Sequence, residues 1–202
     1  MEEPIDDAGE RQVESMRSVV MKAKVCLVGE AAVGKTSLIR RYVLDQYDDR
    51  YETTLGAKVT KKELRIPIKE KHLEVQLDMT IWDVMGDETF RELLQKAYFA
   101  GSRGVLAVAD LTRRSTLDGV SGWIDAVGKV VMRVPVLIAV NKADLEANGE
   151  FGQEEIQKVA EGCGAEFLMT SAKTGAGVER AFQRLGALIA WGQFGGFLEE
   201  GE

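Results

Sequence analysis

Three short stretches of this 202-residue chain carry residue types whose spacing can do chemistry. The first is Gly29-Glu30-Ala31-Ala32-Val33-Gly34-Lys35-Thr36-Ser37, a G-x-x-x-x-G-K-[ST] pattern. An apolar run, Val25-Cys26-Leu27-Val28, precedes it, and an amphipathic segment over residues 37–44 follows. Strand, glycine-bounded loop and helix are the setting in which such a pattern wraps a phosphate. Gly29 and Gly34 permit backbone conformations that a side chain resists, so successive N–H groups converge on one concavity. The free amides and the positive dipole end of the following helix face the same point. Lys35 has the reach for β- and γ-phosphates, and the Thr36 hydroxyl can ligate a Mg²⁺ that bridges them. The competing interpretation is an ordinary Gly-rich turn before a helix, and the setting argues against it. The stretch points to a bound nucleoside phosphate.

The second stretch is Asn141-Lys142-Ala143-Asp144, directly behind another apolar run. A carboxylate at Asp144 can accept from both the ring N1–H and the exocyclic amine of guanine. Adenine has no such donor pair and would leave the carboxylate unpaired, at a cost of several kcal/mol. Asn141 can pin neighbouring loops together and touch the base edge, while the Lys142 stem can cover a ring face. The third stretch, Ser171-Ala172-Lys173, can supply a backbone N–H to the guanine oxygen. Alone, N-K-x-D is as readily a polar loop. Behind a phosphate loop and ahead of S-A-K, it specifies the base.

These residues need elements to hold them. Residues 22–28 read as a first strand, apolar enough to be buried on both faces, and residues 35–45 as a first helix. Residues 57–68 and 72–82 alternate like a hairpin, joined through Lys69-Glu70-Lys71. His72, the one histidine, reads as a solvated side chain at that turn. A helix is expected over residues 89–100 and a strand over 104–110. Ser115-x-x-Asp118 resembles an N-terminal cap for a helix reaching about Val131. That helix contains Gly119, Gly122 and Gly128, so packing must stabilise it. A strand over 134–140, a helix around 154–161, a short strand over 166–169 and an amphipathic helix over 177–191 complete the series. Strands alternating with helices imply a doubly wound α/β sheet, with polar signatures just past the strands, where such sheets place ligands. Residues 1–20 are expected to be a flexible extension, 21–191 the single folded domain, and 192–202 a flexible acidic, Gly-rich tail.

Composition sets further bounds. The chain is 45% hydrophobic and 29% charged, ordinary for a globular protein. A formal charge of -7 without a basic stripe argues against nucleic acid as a partner. The two cysteines, Cys26 and Cys163, form no metal spacing and fit a reducing cytoplasm; Cys26 reads as core. The longest apolar runs are too short to span a bilayer, and the acidic start, Met1-Glu2-Glu3, is unlike a signal peptide.

Taken together, the motifs resemble the Ras superfamily of small GTPases, its Rab-like branch above all. The carriers are residues 29–37, Tyr51-x-x-Thr54-x-Gly56, Trp82-Asp83-x-x-Gly86, Asn141-Lys142-x-Asp144 and Thr170-Ser171-Ala172-Lys173. The resemblance covers roughly residues 22–190. It implies a P-loop NTPase fold: a doubly wound, mostly parallel six-stranded sheet with one antiparallel strand and helices on both faces. It implies a monomeric molecular switch that binds GTP and GDP with Mg²⁺ and hydrolyses GTP slowly. Tyr47 falls where the family stacks an aromatic near guanine, and Tyr51 lies with Thr54 in a nucleotide-contacting segment. Thr54 and Asp83 join Thr36 as Mg²⁺ ligands, Asp83 through water, and the Gly86 N–H meets the γ-phosphate. Lys35, Thr54, Gly86 and Asp87 would carry the hydrolysis. Residues 47–56 and 83–95 would be switches that meet effector or regulatory proteins.

Several positions depart from the family pattern. Asp87 stands where the family places a Gln that orients the attacking water, and Val84-Met85 replaces the commoner Thr-Ala. Ala31 stands where Gly is frequent, as in some Rab-like relatives. The hairpin between Gly56 and Asp83 is longer than in most relatives. No C-terminal cysteine is present for a prenyl anchor, and Met1-Glu2 excludes myristoylation, a pattern that points to a prokaryotic, archaeal-type member. Two alternatives stay open: a GTP-binding adaptor with little or no hydrolysis, because of Asp87, and a P-loop ATPase or kinase, which fits the first motif only.

Overall fold

The computed structural model describes residues 16–48, 57–84 and 96–195. At the centre lies β1 (Arg17–Val28), followed by α1 (Lys35–Leu44), the hairpin strands β2 (Ala57–Ile68) and β3 (Leu73–Val84), and β4 (Ser102–Asp110). Then come α2 (Arg114–Asp118), α3 (Val120–Gly128), β5 (Val136–Asn141), α4 (Gln153–Gly162), β6 (Glu166–Met169) and α5 (Val178–Phe194). A 3₁₀ turn covers Lys69–Lys71, and two 3₁₀ pieces broken by a kink at Leu145 cover Ala143–Asn148. The six strands form one sheet in the order β2-β3-β1-β4-β5-β6; β2 runs antiparallel to β3 and the other neighbours are parallel. This is the doubly wound architecture expected, with its crossovers placing helices on both faces.

Each face has its own core. On one, α1 and α5 meet the sheet: Tyr42 stacks on Phe182 with ring centroids 4.1 Å apart, above Leu27, Leu77 and Leu106. On the other, Leu117, Trp123, Val127 and Ile156 cover Cys26, Val105, Ala107 and Ile138. Cys26 is fully buried, its thiol against the Ser102 hydroxyl at 3.1 Å, so it serves as core. Burial pushes that thiol's pKa up, against the pull of Ser102 and Lys24.

Four local expectations need correction. The first strand begins at Arg17, five residues before Lys22; among the described residues Arg17–Met21 pairs with β3 alone, and pairing with β4 starts only at Lys24. With one neighbour and one covered face, that half carries little apolar signal. Secondly, Ser115 is not a helix cap. The cap position is Arg113, Ser115 lies inside α2, and the orphan Arg114 N–H is taken by the Glu150 carboxylate at 2.6 Å. That helix also breaks at Gly119 and ends at Gly128 instead of reaching Val131. Thirdly, β5 starts at Val136, past Pro135, not at Val134. Lastly, the final helix continues to Phe194, into the expected tail, since Phe194 still packs on the core. His72 closes the hairpin in a left-handed conformation, φ 48°.

Candidate functional site

The carboxyl ends of β1, β3, β4, β5 and β6 bring the polar signatures to one edge of the sheet. The stretch 29–34 turns directly out of β1 into α1, whose first intrahelical bond is Leu38 N–H to Gly34 O at 2.9 Å. The amides of Lys35, Thr36 and Ser37 therefore precede the helical ladder. Gly29 (φ 137°) and Gly34 (φ 98°) adopt backbone closed to other residues. A Cβ on Gly29 would lie 2.3 Å from Val108 O, and one on Gly34 2.2 Å from Asn141 Nδ2. Lys35, 7% exposed, crosses back over the loop, donating to Gly29 O at 2.7 Å and Glu30 O at 2.8 Å. Burial lowers its pKa to about 8, opposed by the charges of Asp83 and Glu30 and aided by that of Arg113. Glu30 turns away from the loop to accept Trp123 Nε1–H at 3.0 Å. Val33 is buried, while Ala31 and Ala32 face solvent.

Thr36 reaches across to β3, its hydroxyl donating to Asp83 Oδ2 at 2.6 Å. The other carboxylate oxygen, Asp83 Oδ1, is buried without a hydrogen-bond partner. Burial pushes this carboxyl up, against the Thr36 hydrogen bond and the charges of Lys35 and Lys58. A buried, orphaned carboxylate oxygen beside a hydroxyl is a donor set suited to a hard, oxygen-seeking cation.

The base motif is bolted to the phosphate loop. Asn141 is buried; its Nδ2 donates to Val33 O at 2.9 Å and its Oδ1 accepts the Ala172 N–H at 3.1 Å. One side chain thus joins the first, second and third motifs. Ser171 Oγ–H donates to Asp144 Oδ1 at 2.5 Å, which orients that carboxylate. Two readings of the sequence gain detail here. Lys142, in the left-handed region at φ 64°, has its ammonium anchored 2.6 Å from Asp110 Oδ2, which fixes the run of its stem. The Ala172 amide is spent on Asn141 and that of Ser171 on Ala176 O, so among the described residues the S-A-K amide left for a base oxygen is that of Lys173.

Three contributors carry no motif signature. Arg41 on α1 clamps the third motif from behind, donating to Ala172 O at 2.9 Å and Lys173 O at 2.7 Å. Asp110 is fully buried at the end of β4 and receives Lys142, Thr112 and Arg113. Arg113 also donates to Ala31 O at 2.9 Å. The position of Asp110, a polar residue closing an apolar strand, was the available signal. Tyr47, three residues past α1, is 37% exposed. Tyr51, Thr54, Gly86 and Asp87, with most of both expected switches, lie outside the described residues.

A mostly parallel sheet with a phosphate loop at its first strand and a base motif at its fifth defines the class of phosphate-loop nucleotide-binding domains. The family model of the Ras family matches residues 24–190, and the chain belongs to that family as a Rab-like small GTPase. It is similar to the Ras-related protein Rab-21 of Geodia cydonium, 34% identical over 174 residues, or 86% of this chain and 73% of that one. It resembles Rab-21 of Homo sapiens at 35% identity over 160 residues, 79% of this chain and 68% of that one. The Ras-related protein Rab-2B of Dictyostelium discoideum is 33% identical over 162 residues, 80% of this chain and 77% of that one.

Proposed function

We propose that this chain is a guanine-nucleotide switch that binds GTP and GDP with Mg²⁺ and hydrolyses GTP slowly, acting as a monomer in the cytoplasm. The observation that carries the reading is Asn141, which ties Val33 of the phosphate loop to Ala172 and so sets Asp144 at a fixed remove from Lys35 and Thr36. Asp144 would accept guanine's two donors; Lys35 and the amides of 34–37 would hold the phosphates. Thr36 and Asp83 would hold Mg²⁺, with Thr54 joining by family resemblance, and Asp83 Oδ1 is the oxygen that gains a partner. Bound there, the cation neutralises phosphate charge. Removing the hydroxyl in Thr36→Ala should weaken nucleotide binding and reduce its sensitivity to chelators. Residues 47–56 and 83–95 would present the nucleotide state to effector or regulatory proteins.

Asp87 sets the rate in this reading. A side chain following Gly86 would orient the attacking water, and Gln both accepts from water and donates toward the phosphoryl group. Asp is one methylene shorter and, ionised, only accepts; its charge opposes phosphoryl oxygens. Such positioning is worth on the order of 1–3 kcal/mol, or about ten- to a hundredfold. The same residue supports the second reading, a GTP-binding adaptor with little or no hydrolysis. Single-turnover hydrolysis by the purified protein, with bound nucleotide identified by chromatography, tests both. Slow release of phosphate that rises in Asp87→Gln supports the switch. No turnover in either protein supports the adaptor, and equal affinity for ATP and GTP ends both.

A further inference from the structure

Within the phosphate loop, Ala32 alone among the non-glycine residues has a left-handed backbone, φ 62°. There an L side chain brings its Cβ against the neighbouring carbonyl, and Ala lacks the short polar group with which Asn or Asp offsets the clash. Something else must hold the Ala31–Ala32 peptide. Its carbonyl oxygen, that of Ala31, accepts Arg113 Nη2–H at 2.9 Å. Arg113 is itself aimed from beneath: its Nε donates to Asp110 Oδ2 at 2.8 Å, and that carboxylate is fully buried. Asp110 is fixed in turn by the Thr112 N–H and hydroxyl on Oδ1 and by the Lys142 ammonium on Oδ2. The planar fork of the guanidinium then has one direction left for Nη2. A peptide is planar and trans, so a carbonyl held toward Arg113 turns the Ala32 N–H the opposite way.

We propose that Arg113 is a positioning residue of the phosphate site, which straps the Ala31–Ala32 peptide into its left-handed turn and keeps the Ala32 amide directed at the nucleotide phosphates. It does for this alanine what the absence of a side chain does for a glycine. Because Asp110 also holds Lys142, the strap runs on to the base motif. The inference rests on reading residues 29–36 as a phosphate loop and adds to it a residue outside every recognised motif.

The test is a double-mutant cycle on GDP release, using a fluorescent GDP analogue with Mg²⁺ present. In Arg113→Met, release should accelerate by about tenfold, the scale of one charge-assisted hydrogen bond. In the Ala32→Gly background the same change should accelerate release by about twofold or less, since a glycine needs no strap. Arg113→Lys, which keeps the charge but not the fork, should follow the Met variant and serves in its place if that variant does not fold. Equal acceleration in both backgrounds, or none in either, overturns the proposal and leaves Arg113 a structural ion pair. Failure of the unmutated protein to bind GDP overturns the phosphate-site reading instead.

Discussion

Asp144 and Asp110 are both carboxylates at or just past the carboxyl end of a strand, yet their surroundings assign them opposite work. Asp144 is exposed, with Ser171 on Oδ1 orienting it toward whatever fills the site. Asp144→Asn swaps an acceptor for a donor at one edge while retaining an oxygen for Ser171. GTP affinity should fall by roughly 2–4 kcal/mol, and xanthosine nucleotides should gain in relative terms. Competition binding with GTP and XTP reads this directly; an unchanged GTP:XTP ratio refutes the assignment. Asp110 instead faces inward. Burial alone would raise its pKa, but the bonds from Lys142, Thr112 and Arg113 outweigh that and hold it below the usual carboxylate range. A folded value below the unfolded one gives stability that is complete above the ordinary carboxylate pKa of about 4 and is lost as pH falls through the folded value. Asp110→Asn should therefore cost roughly 2–3 kcal/mol in urea unfolding near neutral pH and much less in strong acid. A gap that persists in acid would assign the loss to packing. Asp144 was legible in the sequence because its neighbours Asn141 and Lys142 repeat a known spacing. Asp110, Arg113 and Arg41 were not, because a lone charge past a strand or on a helix does not say which backbone oxygen it will meet.

Among the elements, α2 and α3 show where local patterning fails. Ser115-x-x-Asp118 has the letters of a cap, but the chain enters the helix one residue after Arg113, and the acceptor for the orphan Arg114 amide comes from Glu150, thirty-six positions away. Arg114 also pairs with Asp118 and Glu155, which ties α2 to the start of α4. Glu150→Ala should cost about 1 kcal/mol, as removal of a cap does, and Ser115→Ala appreciably less; chemical denaturation of both variants decides it. The reverse ranking would restore Ser115 as the cap. The hairpin, in contrast, was readable almost residue for residue. The alternation of β3 between buried and half-buried positions from Leu73 to Asp83 is the direct imprint of one covered face. The first half of β1 lacks such an imprint because, among the described residues, it pairs with β3 only. The four-residue β6 was equally legible, since Thr170-Ser171-Ala172-Lys173 follows at once and marks its end.

For the molecule as a whole, the site is a joint between strands that are far apart in sequence. Asn141 and Arg41 tie α1, β5 and the 170–173 turn to one another, so the site cannot persist once any of these separates. Ligand binding should therefore register as stability of the entire domain. At a thousandfold excess over Kd, GDP with Mg²⁺ should add about 4 kcal/mol, which is roughly 8–16 °C in Tm for a domain of this size. ADP at the same concentration should add almost nothing, and an equal rise with ADP would sink guanine selectivity. Both described ends of the chain lie toward the amino ends of the strands, away from the phosphate loop. Arg17 opens β1 beside the hairpin turn, its N–H on His72 O at 2.8 Å, and Gln193 near the end of α5 meets Arg103 at the start of β4 at 2.9 Å. The 12 residues of β1 separate Arg17 from the phosphate loop by about 40 Å, whereas Arg103 lies nearer, level with Lys24 and Val25. The molecule thus has a mooring end and a working end. A surface tether or fusion partner attached at residue 16 or residue 195 would therefore pull on the end of the sheet that the nucleotide does not touch, and leave the pocket's mouth unobstructed.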